Sequence, residues 1–325
     1  MGQTALIIGG TRNLGPDIAA ALAEAGYAVT LFHRGITHSP LLSASVERLL
    51  GDRSDASALS AALLGRSFDV VIDTTLYNGR DAAAATEIFR KSTGRYIMLS
   101  TGQVYLVRVG LERPFSERDY AGPTTPAPTA SAFDLDNWNY GMHKRAAEGA
   151  LGAASFPVTV LRLPMVNSER DHFHRIRNYL ARVRDGGPIL IPAGPHLPLR
   201  HVYGKDVVKA VMRAAAAGID GAFNVGQDET LGINDFLKAI RARGVGFPSD
   251  LLWERELMPN CSHFSEPWMS ALDNRLGKEA LGLVYTPFPT YLEALVRDFE
   301  ANPVPPPGYE QRASEIELAK SKNQD

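Results

Sequence analysis

Residues 4–15 read TALIIGGTRNLG, and this stretch decides the fold. Residues 4–8 form an apolar run with the length of a buried strand. Gly9, Gly10 and Gly15 lie in the turn that follows, and the apolar residues after the turn recur at helical spacing. The stretch therefore predicts a strand, a glycine-rich turn and a helix, in that order.

A turn of this kind is suited to bind a phosphate group. Glycines let the backbone come close to the ligand, and the unpaired N–H groups at a helix start meet its negative charge. The position of the turn between a strand and a helix predicts a dinucleotide pyrophosphate site, and an ordinary glycine-rich turn is the alternative. The candidate cofactor-binding residues in the turn are Gly9, Gly10, Thr11, Arg12, Asn13, Leu14 and Gly15.

Short apolar runs alternate with longer amphipathic stretches through the first half of the chain. The predicted strands after the first are residues 28–32, 46–50, 70–72, 96–99 and 158–161, and the predicted helices include residues 57–64, 81–90 and 138–151. This alternation predicts an α/β protein with a doubly wound parallel sheet, the Rossmann arrangement. We expect residues 1–165 to form this dinucleotide-binding domain.

The pattern becomes irregular after about residue 165. Segments with proline and glycine separate predicted helices at residues 205–217, 233–243 and 310–320 and a predicted strand at residues 222–225. We expect residues 166–325 to form mainly a smaller C-terminal α/β substrate lobe and a tail, with some later segments returning to the first domain.

Composition excludes several classes of protein. Among 325 residues, 45% are hydrophobic and 22% charged, which argues against a disordered chain. The net charge of −2 gives no general attraction for nucleic acid. Cys261, the single cysteine, cannot form an intrachain disulfide and indicates a reducing compartment. No apolar run reaches the ~18 residues of a membrane span, and the early first strand leaves no room for a signal peptide, so we expect a cytoplasmic protein.

The end of the second predicted strand bears on the choice of cofactor. An NAD site usually has an acid there to hold the ribose diol, but residues 32–35 read FHRG. Arg34 and Arg12 are placed to pair with the 2′-phosphate of NADP(H), although a solvated Arg34 is the alternative. We expect NADP(H), with NAD(H) left open. Asp52 is placed either to accept from the adenine amine or simply to form a turn. The remaining cofactor candidates are Arg53, Thr74 and Pro164.

Tyr140 and Lys144 form a Tyr-x-x-x-Lys pair on one face of a predicted helix. The pKa of a phenol is about 10, and a neighbouring ammonium lowers it. The lysine can also hold the nicotinamide ribose. Thr101, at the carboxyl end of the fifth predicted strand, is placed to orient a substrate oxygen while Tyr140 transfers its proton. These three residues are the catalytic candidates.

Further polar residues are candidates for the substrate or for a metal. The substrate candidates are Tyr77, Asn78, Gln103, His196 and Arg200. Asp171, His172 and His174 lie close together, but adjacent ligands without a distant partner are more typical of a polar loop. We therefore expect no metal.

The chain resembles the extended short-chain dehydrogenase/reductase family, in an atypical, NAD-dependent epimerase/dehydratase-like branch. The resemblance covers nearly the whole chain and rests on the glycine turn, residues 51–52, TGQVY at 101–105, YGMHK at 140–144, LRLP at 161–164, residues 200–207 and AFNVG at 222–226. It implies a bound nicotinamide cofactor, a C-terminal substrate lobe and catalytic roles for Thr101, Tyr140 and Lys144.

Departures from the family pattern bear on the substrate. Gly102 and Gln103 stand where the sugar-nucleotide dehydratases of the family carry Asp and Glu, so the acids for water elimination are missing. Met165 stands where many sugar-nucleotide enzymes carry Asn near the diphosphate. These differences argue against a nucleotide-sugar substrate. The same atypical branch includes chloroplast stem-loop RNA-binding proteins.

The sequence therefore predicts an NADP(H)-dependent oxidoreductase that transfers hydride to or from a carbonyl or carbinol carbon of a small molecule. One alternative is a sugar or nucleotide-sugar epimerase with bound NAD(P). Another is a non-catalytic RNA-binding or regulatory protein, which the intact triad and the charge balance disfavour. We expect no membrane or nucleic-acid partner, and a homodimer stays open.

Overall fold

A computed structural model describes residues 2–258, 263–265 and 267–322. The strands are β1 (Thr4–Ile8), β2 (Ala28–His33), β3 (Glu47–Leu50), β4 (Val70–Asp73), β5 (Tyr96–Thr101), β6 (Val158–Leu163), β7 (Val166–Asn167), β8 (Ile189–Pro192), β9 (Val202–Tyr203), β10 (Gly221–Asn224) and β11 (Gly244–Phe247). Seven of them form one parallel sheet in the order β10-β6-β5-β4-β1-β2-β3. This order confirms the Rossmann-like fold expected from the sequence.

The helices are α1 (Gly15–Glu24), α2 (Ala56–Ala62), α3 (Gly79–Ile88), α4 (Gln103–Leu106), α5 (Ala132–Leu151), α6 (Arg175–Arg184), α7 (Gly204–Ala217), α8 (Ile233–Ala239), α9 (Ser249–Glu254), α10 (Arg275–Leu281), α11 (Phe288–Ala301) and α12 (Arg312–Ser321). Within the described ranges, no helix is both long and apolar enough to cross a membrane.

Strand β1 shows why the central strands are apolar along their whole length. Ala5 and Ile7 pack into the core on one face of the sheet, with α1 and α7. Leu6 and Ile8 pack on the opposite face, with α2, α3 and α5. Because both faces are covered by helices, alternate residues have no solvent side, and the strand reads as a continuous hydrophobic run.

A second core lies in the later part of the chain. The rings of Tyr179, Phe236 and Phe264 lie with centroids 4.9–5.1 Å apart, and α6, α8 and α11 enclose them with β8. The pairs β8–β11 and β7–β9 form small parallel sheets of their own. The chain nevertheless returns to the large sheet, because β10 pairs with β6.

Helices α5 and α8 differ most from their expected bounds, and one residue lies outside the description. Helix α5 begins at Ala132 rather than 138 because the Ser131 hydroxyl accepts a hydrogen bond from the Asp134 amide at 3.1 Å and caps it. Helix α8 ends at Ala239 rather than 243, and Arg241 then adopts a left-handed φ of 57°. Cys261 is outside the described residues.

Candidate active site

The glycine turn has the close backbone packing that its sequence predicts. Gly9 and Gly10 have φ values of 90° and 85°, which side chains disfavour. A Cβ on Gly15 would lie only 2.3 Å from the Gly10 Cα atom. The turn therefore leaves a backbone-lined cradle at the start of α1 that only glycine permits.

The N–H groups of this helix start suit an anion. Leu14 occupies the N-cap position of α1, and this apolar side chain makes no capping hydrogen bond. In helices without such a cap, the first N–H groups stay available to a ligand, and the helix dipole favours negative charge there. The cradle and the free helix start together fit the diphosphate of a dinucleotide.

A cavity of about 470 Å³ opens beside the turn. All seven turn candidates line it, as do Arg34, Asp52, Arg53, Thr74 and Tyr77. Arg12 and Arg34 are exposed, and hydrogen bonds from the Ser54 amide and hydroxyl lower the pKa of Asp52, with a further contribution from the Arg34 charge. The cavity thus carries cationic groups where a phosphate is expected and an ionised acid beside them.

Arg53 lines the cavity but is committed to a buried ion pair. Its guanidinium donates to the Asp73 carboxylate at 2.8 Å and to the Asp81 carbonyl at 3.2 Å. Asp73 is fully buried and also accepts from the Tyr96 hydroxyl at 2.5 Å. Arg53 therefore fixes the floor of the cavity through the ends of β3 and β4.

Lys144 lies on α5 and connects two strand ends. The ammonium donates to the carbonyl oxygens of Leu76 at 2.8 Å and Leu99 at 3.0 Å. Burial lowers the pKa of Lys144 to about 8, while the charges of Asp73 and Glu148 oppose the shift. Because an ammonium has three donors, one is left for a ribose hydroxyl.

The expected effect of Lys144 on Tyr140 is not found. Burial and the neighbouring Tyr77 raise the pKa of Tyr140, and a hydrogen bond with Thr101 opposes the rise only in part. The Lys144 ammonium is 5.9 Å from the Tyr140 ring centroid, but its hydrogen bonds go to backbone carbonyls. Tyr140 therefore holds its proton at neutral pH, and the expectation that Lys144 lowers the pKa of this phenol was wrong.

Thr101 and Gln103 lie close to Tyr140 at the end of β5. The Thr101 hydroxyl accepts from the Gln103 amide at 3.2 Å, and the Gln103 side chain donates to Asn137 on α5 at 2.6 Å. A Cβ on Gly141 would lie 2.8 Å from the Gln103 carbonyl oxygen. The glycine after Tyr140 thus lets α5 pack closely against α4 and brings the three catalytic candidates together.

A buried ionic network supports α5 from below. Glu148, one turn after Lys144, forms an ion pair with Arg162 on β6 at 2.7 Å and accepts from Ser100 at 2.5 Å. Arg162 also donates to Tyr105 at 2.8 Å. These side chains connect α5, β5 and β6 and fix the orientation of the helix that carries Tyr140.

The substrate candidates lie in different places. Tyr77 lines the cavity, with its ring centroid 4.8 Å from the Lys144 ammonium and 6.5 Å from the Tyr140 ring. Asn78 caps α3 by accepting from the Asp81 amide at 2.9 Å. Arg200 donates to the Leu272 carbonyl and to Thr230. His196 and Arg200 do not line the described part of the cavity, nor does Pro164, which is buried after β6.

Several cavity residues were missed by reasoning from sequence. They are Phe32, His33, Gly35, Ile36, Thr37, Gly51, Ser54, Thr75, Asp81, Leu99 and His172. Thr37 contacts Thr11 through their hydroxyls at 2.6 Å. Most of these residues lie at the carboxyl end of a strand or in the loop that follows it, and that position was the signal available in the sequence. His172 comes from the loop before α6, and no such signal in the sequence indicated that it lines the cavity. Across the described residues, no cluster of three His, Cys, Asp or Glu side chains is arranged for a metal.

A sequence profile of the NAD dependent epimerase/dehydratase family matches residues 5–226. The chain belongs to this family of enzymes. Among solved structures, WbmG of Bordetella bronchiseptica in complex with NAD is 17% identical, with a TM-score of 0.71 over 93% of this chain and 95% of that one. UDP-glucose 4-epimerase of Thermotoga maritima is 18% identical, with a TM-score of 0.69 over 93% and 100%. These structural similarities show that the chain shares the fold of both proteins.

A curated relative of this family member is the chloroplast stem-loop binding protein of 41 kDa b of Arabidopsis thaliana. The two are 34% identical over 134 residues, which is 36% of this chain. The match spans about a third of the relative's length, 34%.

Proposed function

We propose that the chain is an NADP(H)-dependent oxidoreductase that reduces a carbonyl group of a small molecule. The observation that carries this proposal is the contact of Tyr140 and Lys144 on α5 with residues that line the cavity. The Tyr77 ring lies 6.5 Å from the Tyr140 ring and 4.8 Å from the Lys144 ammonium, and Lys144 donates to the Leu99 carbonyl. A nicotinamide cofactor bound there would supply hydride. The cradle and the α1 start would hold its diphosphate, because glycines let the backbone approach a ligand and the first N–H groups of a helix meet its negative charge.

NADP(H) is the proposed form of the cofactor. Arg12 and Arg34 both line the cavity with exposed guanidinium groups, and the second strand ends at His33 without an acid. A guanidinium binds a phosphate monoester in a forked geometry and gains nothing comparable from a ribose diol. The ionised Asp52 lies near Arg34, and the Arg34 charge contributes to the lowered pKa of this carboxylate.

The proposed role of Tyr140 is that of the acid in carbonyl reduction. Burial raises the pKa of the phenol, so the hydroxyl enters the reaction protonated. A protonated Tyr140 acts as the acid that gives its proton to the carbonyl oxygen, and the Thr101 hydroxyl orients that oxygen. Lys144 keeps one donor for the ribose while it holds the ends of β4 and β5 in register.

Replacing Tyr140 by Phe tests this proposal. Loss of the acid should lower kcat for carbonyl reduction by about 100-fold or more. The phenylalanine ring keeps the place of the tyrosine ring, so the variant loses only the proton donor. The Kd for NADPH, measured by nucleotide fluorescence, should change by no more than about twofold, since a phenol that binds no cofactor contributes little to affinity. Tyr27→Phe is the matched control. Unchanged turnover in the Tyr140 variant would refute the role.

An epimerase that uses the same residues is the second candidate, favoured by the family match and by the likeness to a UDP-glucose 4-epimerase. Such an enzyme retains its nucleotide and shows no net change in the absorbance of the reduced nicotinamide during turnover. Retained nucleotide with constant absorbance would replace the oxidoreductase proposal with this one.

The chloroplast relative is named a stem-loop binding protein, and binding of stem-loop RNA is a candidate function from another class. The net charge of −2 gives no general attraction for a phosphate backbone. A steep loss of RNA affinity with rising salt would support RNA binding, and salt-independent, weak binding would exclude it.

A further inference from the structure

In the part of the chain that the structure describes, one loop from the second half of the sequence reaches the cavity. Within the described residues, His172 is the one lining residue that follows Leu99 in the chain. The loop, residues 168–174, connects β7 to α6. It therefore brings an ionisable ring from outside the dinucleotide-binding half to the edge of the phosphate turn.

The loop is fixed to the glycine turn at two places. The Ser168 hydroxyl donates to the Asn13 side chain at 3.0 Å, and Arg170 forms an ion pair with Asp17 in the first turn of α1. A Cβ on Gly204 would lie 2.7 Å from the Ser168 Cβ, so α7 presses on the same segment. These contacts hold His172 beside the start of α1, on a loop that is docked at both places.

Hydrogen bonds and ring contacts within the loop also fix its conformation. The buried Asp171 carboxylate accepts from the amides of Phe173 and Arg175 and from the Arg175 guanidinium at 3.1–3.2 Å. The Arg175 guanidinium lies 4.4 Å from the Phe173 ring centroid, and that ring packs against the imidazole of His172 with centroids 4.0 Å apart. The His172 imidazole therefore lies beside both the Asp171 carboxylate and the Arg175 guanidinium that is paired with it.

The charges around the imidazole are mostly positive. Burial lowers the pKa of His172, and Arg175, the Arg12 guanidinium of the glycine turn and His174 lower it further, while Asp171 opposes them. His172 is therefore neutral at pH 7 in the free protein. Cations that face one another across a cavity are stabilised when an anion enters, and the same anion favours protonation of a nearby histidine.

We propose that His172 binds a phosphate group of the dinucleotide and takes up a proton from solvent when the dinucleotide binds. This assignment rests on the proposed nucleotide site. Binding energy then depends on pH: the Kd should rise with pH, by up to about tenfold per pH unit, between the pKa of His172 in the free protein and its higher pKa in the complex.

Calorimetric titration of the full-length protein with NADH and with NADPH at pH 7, in buffers of different ionisation enthalpy, measures this proton uptake. His172→Gln keeps a hydrogen-bond donor but cannot titrate, and His172→Lys keeps a permanent charge. We expect uptake of a measurable fraction of a proton by the wild type and none assignable to either variant. The lysine variant should bind tightly, without the part of the pH dependence that titration of His172 contributes. His143→Gln, an exposed histidine on α5, is the control and should behave as wild type.

The two nucleotides separate the two sources of phosphate. If the wild type takes up more protons than His172→Gln with both nucleotides, His172 contacts the diphosphate. If it takes up more protons with NADPH alone, His172 contacts the 2′-phosphate. Comparison with the variant is needed because a phosphate monoester titrates near pH 6 itself. Equal uptake by wild type and variant, with tight binding, would overturn the role of His172 and leave the proposed function intact. If neither nucleotide bound, both would fall.

Discussion

Replacing Gly15 by alanine perturbs the phosphate turn at its tightest point. The new Cβ would lie 2.3 Å from the Gly10 Cα atom and 2.5 Å from the Gly10 carbonyl oxygen. Carbon atoms in contact are normally about 3.5–4.0 Å apart, so the turn and the start of α1 must separate by about 1 Å. Both contacted atoms are backbone, and no flexible side chain can absorb the shift.

Two consequences follow for the Gly15 variant. Overpacking of this kind costs about 1–3 kcal/mol in the free energy of unfolding. The same displacement moves the N–H groups that would meet the diphosphate. A hydrogen bond to a charged group contributes about 1.5–3 kcal/mol, so loss of one such bond weakens NADPH binding by about 10- to 100-fold.

Gly149→Ala is the matched control for the Gly15 variant. Gly149 lies in α5, and a Cβ there would meet no atom within 4 Å beyond its chain neighbours and the backbone of its own helix. Alanine there should raise the free energy of unfolding by about 0.5–1 kcal/mol. Urea denaturation followed by circular dichroism and NADPH fluorescence titration measure both variants. If Gly15→Ala matched the wild type in stability and in Kd, the proposed cradle would be wrong.

Three further predictions test other parts of the site. Because burial lowers the pKa of Lys144 to about 8, its ammonium is lost as pH rises through that value, and kcat/KM should fall on the alkaline side near pH 8 rather than near pH 10. Arg34→Gln should weaken NADPH by about tenfold or more in fluorescence titration and leave NADH almost unchanged. Glu148→Gln leaves Arg162 buried without its carboxylate and should lower the free energy of unfolding in urea by about 3–5 kcal/mol, whereas Glu87→Gln, in an exposed pair, should change it by less than about 1 kcal/mol.

The parts of the molecule that sequence predicts well are those encoded locally. The run of residues 4–15 contains its own strand, turn and helix, and the spacing of Tyr140 and Lys144 places both on one helical face. The early start of α5 also had a local signal, since Ser131 precedes Asp134 by three residues in the pattern of a capped helix. It was missed because the apolar periodicity begins only later in the helix.

The parts that sequence could not predict depend on contacts between distant segments. His172 reaches the cavity only because residues 168–174 dock on the glycine turn. The pKa of Tyr140 is likewise a tertiary property: helical spacing places a lysine nearby, but the Lys144 ammonium donates to backbone carbonyls while burial raises the pKa of the phenol. Side-chain identity and spacing do not determine which partner an ammonium selects.

Lys144 and Tyr140 are therefore unequal probes of catalysis. Removing the Lys144 ammonium leaves the Leu76 and Leu99 carbonyl oxygens without their donor at the ends of β4 and β5, and an unsatisfied buried acceptor costs about 1–3 kcal/mol. A loss of turnover in such a variant mixes displaced strand ends with a lost ribose contact. The Tyr140 hydroxyl has no comparable duty to the backbone in the described structure, so its removal separates proton transfer from architecture.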